Sequence, residues 1–249
     1  MSLTLEQLEA RLVYARKRPW LGFALRHPLL VVGGIVLVLV AAVALLAPWL
    51  ATHDPTEMNV LQRLKPPSAE HFFGTDALGR DIFSRTLWGG RISLIVGVSV
   101  ATVATVLGIV IGAVAGFNRA ADAVVMRVMD GMMAIPGILL AIALMTLLRA
   151  SVQTVVIAIA IPEIPRVVRL VRSLVLTIRE QPYVQAAQAV GTRFHWILLR
   201  HVLPNTVTPL IVQATFICAS AVIFEAYLSF LGAGTPPEIP SWGNMMAEG

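Results

Sequence analysis

Apolar positions run in long blocks along this chain, and the polar positions gather between them. Residues 28–50 and 92–117 contain no charged side chain. About 20 consecutive apolar residues are enough to cross a hydrocarbon core as a helix, so each block predicts a transmembrane span. Blocks 123–148, 153–171 and 206–231 predict three more, five in all. Block 123–148 carries Asp130 and Pro136. Asp130 falls about 10 Å from the start of that span, where Arg127 or Arg119 can pair with it. Pro136 is expected to kink the helix. Block 153–171 contains Pro162-Glu163-Ile164-Pro165. Two prolines so close are expected to break or bend it, and Glu163 is the expected partner of Arg166. In the last block Glu225 falls about 30 Å along, near the far surface rather than the midplane.

Composition supports the same class. Of 249 residues, 57% are apolar and 13% charged, against roughly 25% charged in soluble chains. Mean hydropathy is +0.79. The expected fold is an all-α polytopic membrane protein. The net charge of +5 would suggest nucleic-acid binding in a soluble protein. Here the arginines lie between the apolar blocks, so they read as positive-inside topology, with lipid and not nucleic acid as the partner.

Charge also orients the chain. Residues 1–27 carry Arg11, Arg16, Lys17, Arg18 and Arg26, which reads as a cytoplasmic basic N-terminus before an uncleaved first span. Residues 51–91 then form an external loop with a short elbow helix. Arg63, Lys65, Arg80, Arg85 and Arg91 in that loop count against this orientation. The six arginines at 166, 169, 172, 179, 193 and 200 outweigh them and place 172–205 in the cytoplasm. Residues 232–249 are again external. The stretch 74–81, GTDALGRD, lacks the Gly-Lys-Ser/Thr ending of a phosphate loop. A turn before a short helix is expected there, with Asp81 and Arg85 paired at i,i+4. Cys218 is the single cysteine, and His195 and His201 are six apart with no carboxylate beside them. The expectation is therefore no metal site, no cofactor and no catalytic residue.

Two spacings suggest packing and docking. Gly108, Gly112 and Gly116 recur every four residues, a stripe that lets another helix approach closely in lipid. Between the last two blocks, Pro182 suits a first helical turn and Gly191 can end the helix. Tyr183, Ala186, Ala187 and Val190 share one face, with Gln185 and Gln188 off it. A helix of about 12 Å is too short to stand alone in water, so it must be docked. A second short amphipathic helix is expected next, before Leu203-Pro204-Asn205 turns the chain into the last span. Together the two would form an L-shaped lever at the membrane surface.

Three stretches add a resemblance. Residues 183–191, Tyr-Val-x-Ala-Ala-x-Ala-x-Gly, precede His201-x-Leu203-Pro204-Asn205. Residues 74–85 read GTDALGRDIFSR. Residues 225–234 read EAYLSFLGAG, with Pro-Ser-Trp-Gly-Asn-Met at 240–245. In this order they resemble the permeases of the peptide and nickel branch of ABC importers, and most of all the dipeptide C-type subunit. The resemblance implies a type I importer permease fold in the bacterial inner membrane, with a sixth span beyond the five counted here. It implies a homologous permease partner, two ATPase subunits that bind ATP and magnesium, and an external binding protein. It also implies that Tyr183, Val184, Gln185, Ala186, Ala187, Gln188, Val190 and Gly191 contact the ATPase, supported by Arg193, Leu203 and Pro204. The family usually has Glu where this chain has Gln185. The implied cargo is a di- or oligopeptide, with nickel or another small solute as the alternative. An ion-coupled carrier would need ionisable groups near the midplane, whereas Asp130 and Glu225 fall toward the span ends.

Overall fold

The structure, a computed structural model, describes Phe23 and residues 26–248. Most of the expected basic N-terminus, including Arg11, Arg16, Lys17 and Arg18, lies outside the described residues. Those described form helices and loops without a strand. Helix α1 is Pro28–Leu50, α2 Ile82–Phe117, α3 Arg119–Met133, α4 Gly137–Leu147 and α5 Val152–Arg179. Then come α6 Pro182–Ala189, α7 Phe194–Ile197, α8 Leu203–Phe230 and α9 Trp242–Glu248. By length and composition, α1, α2 and the run His195–Phe230 can each cross a membrane, and α3 with α4 adds a fourth if that pair is one span. In α5, Glu163, Arg166 and Arg169 interrupt the apolar run.

Helix α5 is the centre of the fold. Its Val155, Ile159, Val167, Val168, Val171 and Val175 are fully or almost fully buried, and its most extensive packing is against α2. In lipid the hydrophobic effect does not drive helices together, so close van der Waals contact has to. The glycine stripe supplies it. A Cβ at Gly112 would lie 2.8 Å from Val171 Cβ, and one at Gly116 would lie 2.6 Å from Val175 Cβ. Gly108 meets Val167 in the same way. Helix α1 stays at the edge, with Leu29, Leu30, Leu37 and Val38 exposed and Ala44 and Ala47 buried. That is the distribution of a lipid-facing helix.

Several expectations change. The elbow helix and the second span are one helix of 36 residues, because Asp81 caps it from below: Ser84 N–H donates to Asp81 Oδ2 at 2.8 Å. Asp81 therefore does not pair with Arg85, which donates to Glu248 at 2.9 Å. Pro136 does more than kink the chain. It adopts an extended ψ of 128° at the start of α4, and α3 and α4 meet at 89°. Pro162 and Pro165 break nothing, and α5 runs 28 residues through both. Each proline costs a helix about 3 kcal/mol, and the buried face of α5 overrides that. Arg166 does donate to Glu163 at 3.1 Å. Asp130 pairs with Arg169 at 2.5 Å, across 39 residues, and not with Arg127 or Arg119. Arg172 is paired with Asp122, its Nη2 lying 2.6 Å from Oδ2.

Glu225 lies in the last two turns of α8 and is buried completely there. Its Oε1 accepts from Ser229 Oγ at 2.9 Å and Thr235 Oγ1 at 3.3 Å, and its Oε2 accepts from Ser93 Oγ at 3.4 Å. Ser241 Oγ lies 3.2 Å from Thr235 Oγ1 and extends the network. Asn244 Nδ2 donates to the carbonyls of Pro236 and Ile239, both at 3.0 Å. This network fastens residues 232–248 back onto α8 and α2.

Candidate functional site

Helix α6 is a short, clamped platform. Pro182 begins it and Gly191, at φ +80°, ends it. The Gly191 N–H donates to the Gln188 carbonyl at 2.9 Å and the Thr192 N–H to the Ala187 carbonyl at 3.0 Å. These two bonds form a Schellman cap, which satisfies the last carbonyls and needs the left-handed glycine. At the other end, Gln185 Nε2 donates to the Glu180 carbonyl at 3.3 Å. Arg179, the last residue of α5, donates to the Gly116 carbonyl at 3.0 Å. The Tyr183 ring lies tilted against that of His201, with centroids 5.8 Å apart. The platform thus touches the end of α5 on one side and the segment leading into α8 on the other.

The exposures divide its residues by role. Val184 is buried completely, turned inward as the anchor of the helix to its own chain. Tyr183, Gln185, Ala186, Gln188 and Val190 are exposed and Ala187 is half-buried. Val190 is 81% exposed among the described residues, a large apolar side chain left uncovered at a helix end. The outward surface is therefore small and smooth, framed by two glutamines.

The second half of the expected lever differs. Helix α7 passes without a joint into α8 through a π-turn at Leu198–Val202, closed by the Leu203 N–H on the Leu198 carbonyl. His195–Phe230 is one helix of 36 residues. Pro204 has no N–H to donate, and the wider turn absorbs the mismatch. Arg193 is exposed, its carbonyl accepting from Trp196 and Ile197 at 3.0 and 3.2 Å. Leu203 is half-buried and Pro204 exposed. Arg193 and Arg200 have no acidic partner among the described residues.

Sequence reading missed four features. The Arg179–Gly116 clasp and the inward turn of Val184 depend on tertiary packing. The Glu225 network was signalled by Ser229 at i,i+4, but Ser93 and Thr235 reach it only through the fold. The fourth is a meeting of His53, Glu70 and His71 outside this site.

The comparisons cover both the platform and the Glu225 network. A family model described as "Binding-protein-dependent transport system inner membrane component" matches residues 104–249, more than half of the chain. The chain belongs to this family. A second model, the N-terminal transmembrane domain of oligopeptide transport permease C, matches residues 24–67. Among relatives, a probable peptide ABC transporter permease of Sinorhizobium fredii is 54% identical over 224 residues, 90% of this chain and 77% of that protein. A dipeptide transport system permease of Alkalihalophilus pseudofirmus is 42% identical over 224 residues, 90% of this chain and 74% of its own length. An oligopeptide transport system permease of Bacillus subtilis is 39% identical over 224 residues, 90% and 73% of the two chains. This permease is a multi-pass membrane component of an ABC transport system. Its glycine stripe, α6 and Glu225 all fall inside the matched region.

Proposed function

We propose that this permease forms half of the path for a di- or oligopeptide in an ATP-driven importer, with a homologous permease forming the other half. Two cytoplasmic ATPase subunits hold ATP and magnesium, and an external binding protein delivers the cargo. The chain itself carries no ATPase site and no cofactor. Its N-terminus is cytoplasmic, as the arginines between 166 and 200 favour. The observation that carries this reading is α6: a capped platform of eight residues whose outer face is left uncovered by the described residues. Closure of the ATPases moves α6. Arg179 and Val184 pass that motion to α5 and α2, and Tyr183 passes it to α8. That the relatives are named as peptide, dipeptide and oligopeptide permeases supports a peptide cargo.

The test replaces Ala186 or Ala187 with Phe in the assembled transporter. Transport is expected to fall at least tenfold while ATP hydrolysis persists and the complex still assembles. Normal peptide uptake by both variants would remove α6 from the coupling path. Collapsing the proton gradient with ATP intact separates the ion-coupled alternative, since uptake then survives in an ATP-driven importer.

A further inference from the structure

The segment between α1 and α2 brings together two histidines that lie 18 residues apart in sequence. The His53 and His71 rings lie with centroids 4.7 Å apart. One ligand atom from each of His53, Glu70 and His71 lies within 4.8 Å of the others. They border a polar cavity of about 190 Å³ whose lining also holds Asp54 and Glu57 and no lysine or arginine. The cavity is therefore strongly electronegative, and two imidazoles face it.

The orientation of His71 is fixed from behind. It is buried, and its Nδ1 lies 2.9 Å from Asp81 Oδ1. An ionised carboxylate only accepts, so Nδ1 carries the proton and Nε2 is left as the ligating nitrogen. Histidines that bind metals nearly always donate their other ring N–H to such a carboxylate, which aims the ring and raises its basicity. Nε2 now meets Gln62 Oε1 at 2.8 Å, a contact a cation would displace, releasing any proton there to solvent. The His53 backbone N–H donates to Ser84 Oγ at 3.1 Å, and its ring Nδ1 meets Thr52 Oγ1 at 3.0 Å. Glu70 is exposed and free to swing inward.

We propose that His53, Glu70 and His71 form a binding site for a zinc-type divalent cation, with water as the fourth ligand. Two imidazoles and one carboxylate suit zinc and its borderline neighbours better than magnesium or calcium, which take oxygen ligands. Tetrahedral bonds of about 2.1 Å bring ligand atoms to roughly 3.4 Å of one another, so the three side chains close by about an ångström and a half. The ion would staple the end of α1 to the loop that caps α2. This inference does not depend on the peptide-importer reading.

The test uses the full chain in detergent, purified through a tag without histidine. Zinc is titrated against a chromophoric chelator, and cobalt is added separately for its visible absorption. The expected result is one zinc per chain and an intense cobalt spectrum. H53Q and E70Q should each weaken binding by more than about a hundredfold, beyond the roughly 10–100-fold cost of losing an outer carboxylate, while melting like the parent without metal. A H195Q/H201Q double variant should bind as the parent does. No zinc uptake above a magnesium control, equal binding by H53Q and E70Q, or loss in the double variant would each overturn the assignment.

Discussion

Arg179 Nη1 donates a 3.0 Å hydrogen bond to the Gly116 carbonyl, so the last residue of α5 clasps the last turn of α2. That carbonyl is among those a helix end leaves without an internal partner. Arg179→Ala removes the donor just before the α6 platform begins. The cost to stability is modest, about 1 kcal/mol, but its location matters. Amide exchange in 182–190 should speed up while the core of α5 stays protected. Unchanged exchange in α6 would show that the platform is held by Val184 alone.

The glycine stripe gives a second prediction. A leucine at Gly112 has to displace Val171 and the Val168 carbonyl, which lies 2.8 Å from an added Cβ. Overpacking of this kind costs about 1–3 kcal/mol. Gly112→Leu should lower the melting temperature of the detergent-solubilised protein, and adding Val171→Ala should recover part of the loss. A double variant no better than the single would mean that the backbone, not Val171, sets the spacing.

Glu225 supplies the third. Its carboxylate accepts from Ser93, Ser229 and Thr235. Glu225→Ala leaves these buried hydroxyls without that acceptor, at about 1–3 kcal/mol for an unsatisfied buried group. Glu225→Gln keeps an oxygen in place. Thermal melts should rank the parent above E225Q and E225Q well above E225A. Proteolysis of 232–248 should quicken in the same order.

Acid should weaken the hold of Asp76 on Arg80 and Arg85 at the start of α2. Burial pushes the half-buried Asp76 carboxyl up. The Arg80 and Leu78 amides and the Arg80 guanidinium more than offset this, holding it below the usual carboxylate range. A lowered folded pKa means the stabilisation is complete above the unfolded value of about 3.9 and is lost as pH falls through the folded value. The difference in melting temperature between the parent and Asp76→Asn should thus stay constant from pH 7 to 5. It should narrow below about pH 4. A gap that narrows already between pH 7 and 5 would assign the effect to another group.

Gln185 offers the last. It now donates to the Glu180 carbonyl at 3.3 Å, a bond Glu cannot make. Gln185→Glu gives up that bond and places an anion in the first turn of α6, favoured there by about 0.3–1 kcal/mol. If a basic ATPase residue faces this position, ATPase association should tighten and become more salt-sensitive. Unaltered salt dependence would argue that no cation stands opposite.

Much of the architecture was legible in the sequence because it depends on local rules. Uninterrupted apolar blocks gave the all-α membrane class, and Pro182 and Gly191 punctuate α6. Glu163 and Arg166, three residues apart, needed no tertiary knowledge. The prolines show where such rules stop. Pro136 lies before Gly137 and turns the chain by nearly a right angle, while Pro162 and Pro165 sit in a helix that packing keeps continuous through both. Asp130 found Arg169, and Asp122 found Arg172, across 39 and 50 residues, distances at which no periodicity speaks. Of the platform, the outward face could be inferred. The inward Val184 could not, since adjacent helical positions differ by packing alone.

The π-turn at Leu198–Val202 has one more consequence. A ring closed by an i→i+5 bond holds one residue more than an α-turn, so it offsets the helical phase by about 100°. Deleting one residue there should restore a plain α-helix and spin Trp196 and Ile197 by that angle relative to Phe230. The rod would keep its length almost unchanged, at about 50 Å, but would present a different edge to whatever pushes on it. The π-turn thus sets which edge the Trp196 end presents relative to the Phe230 end.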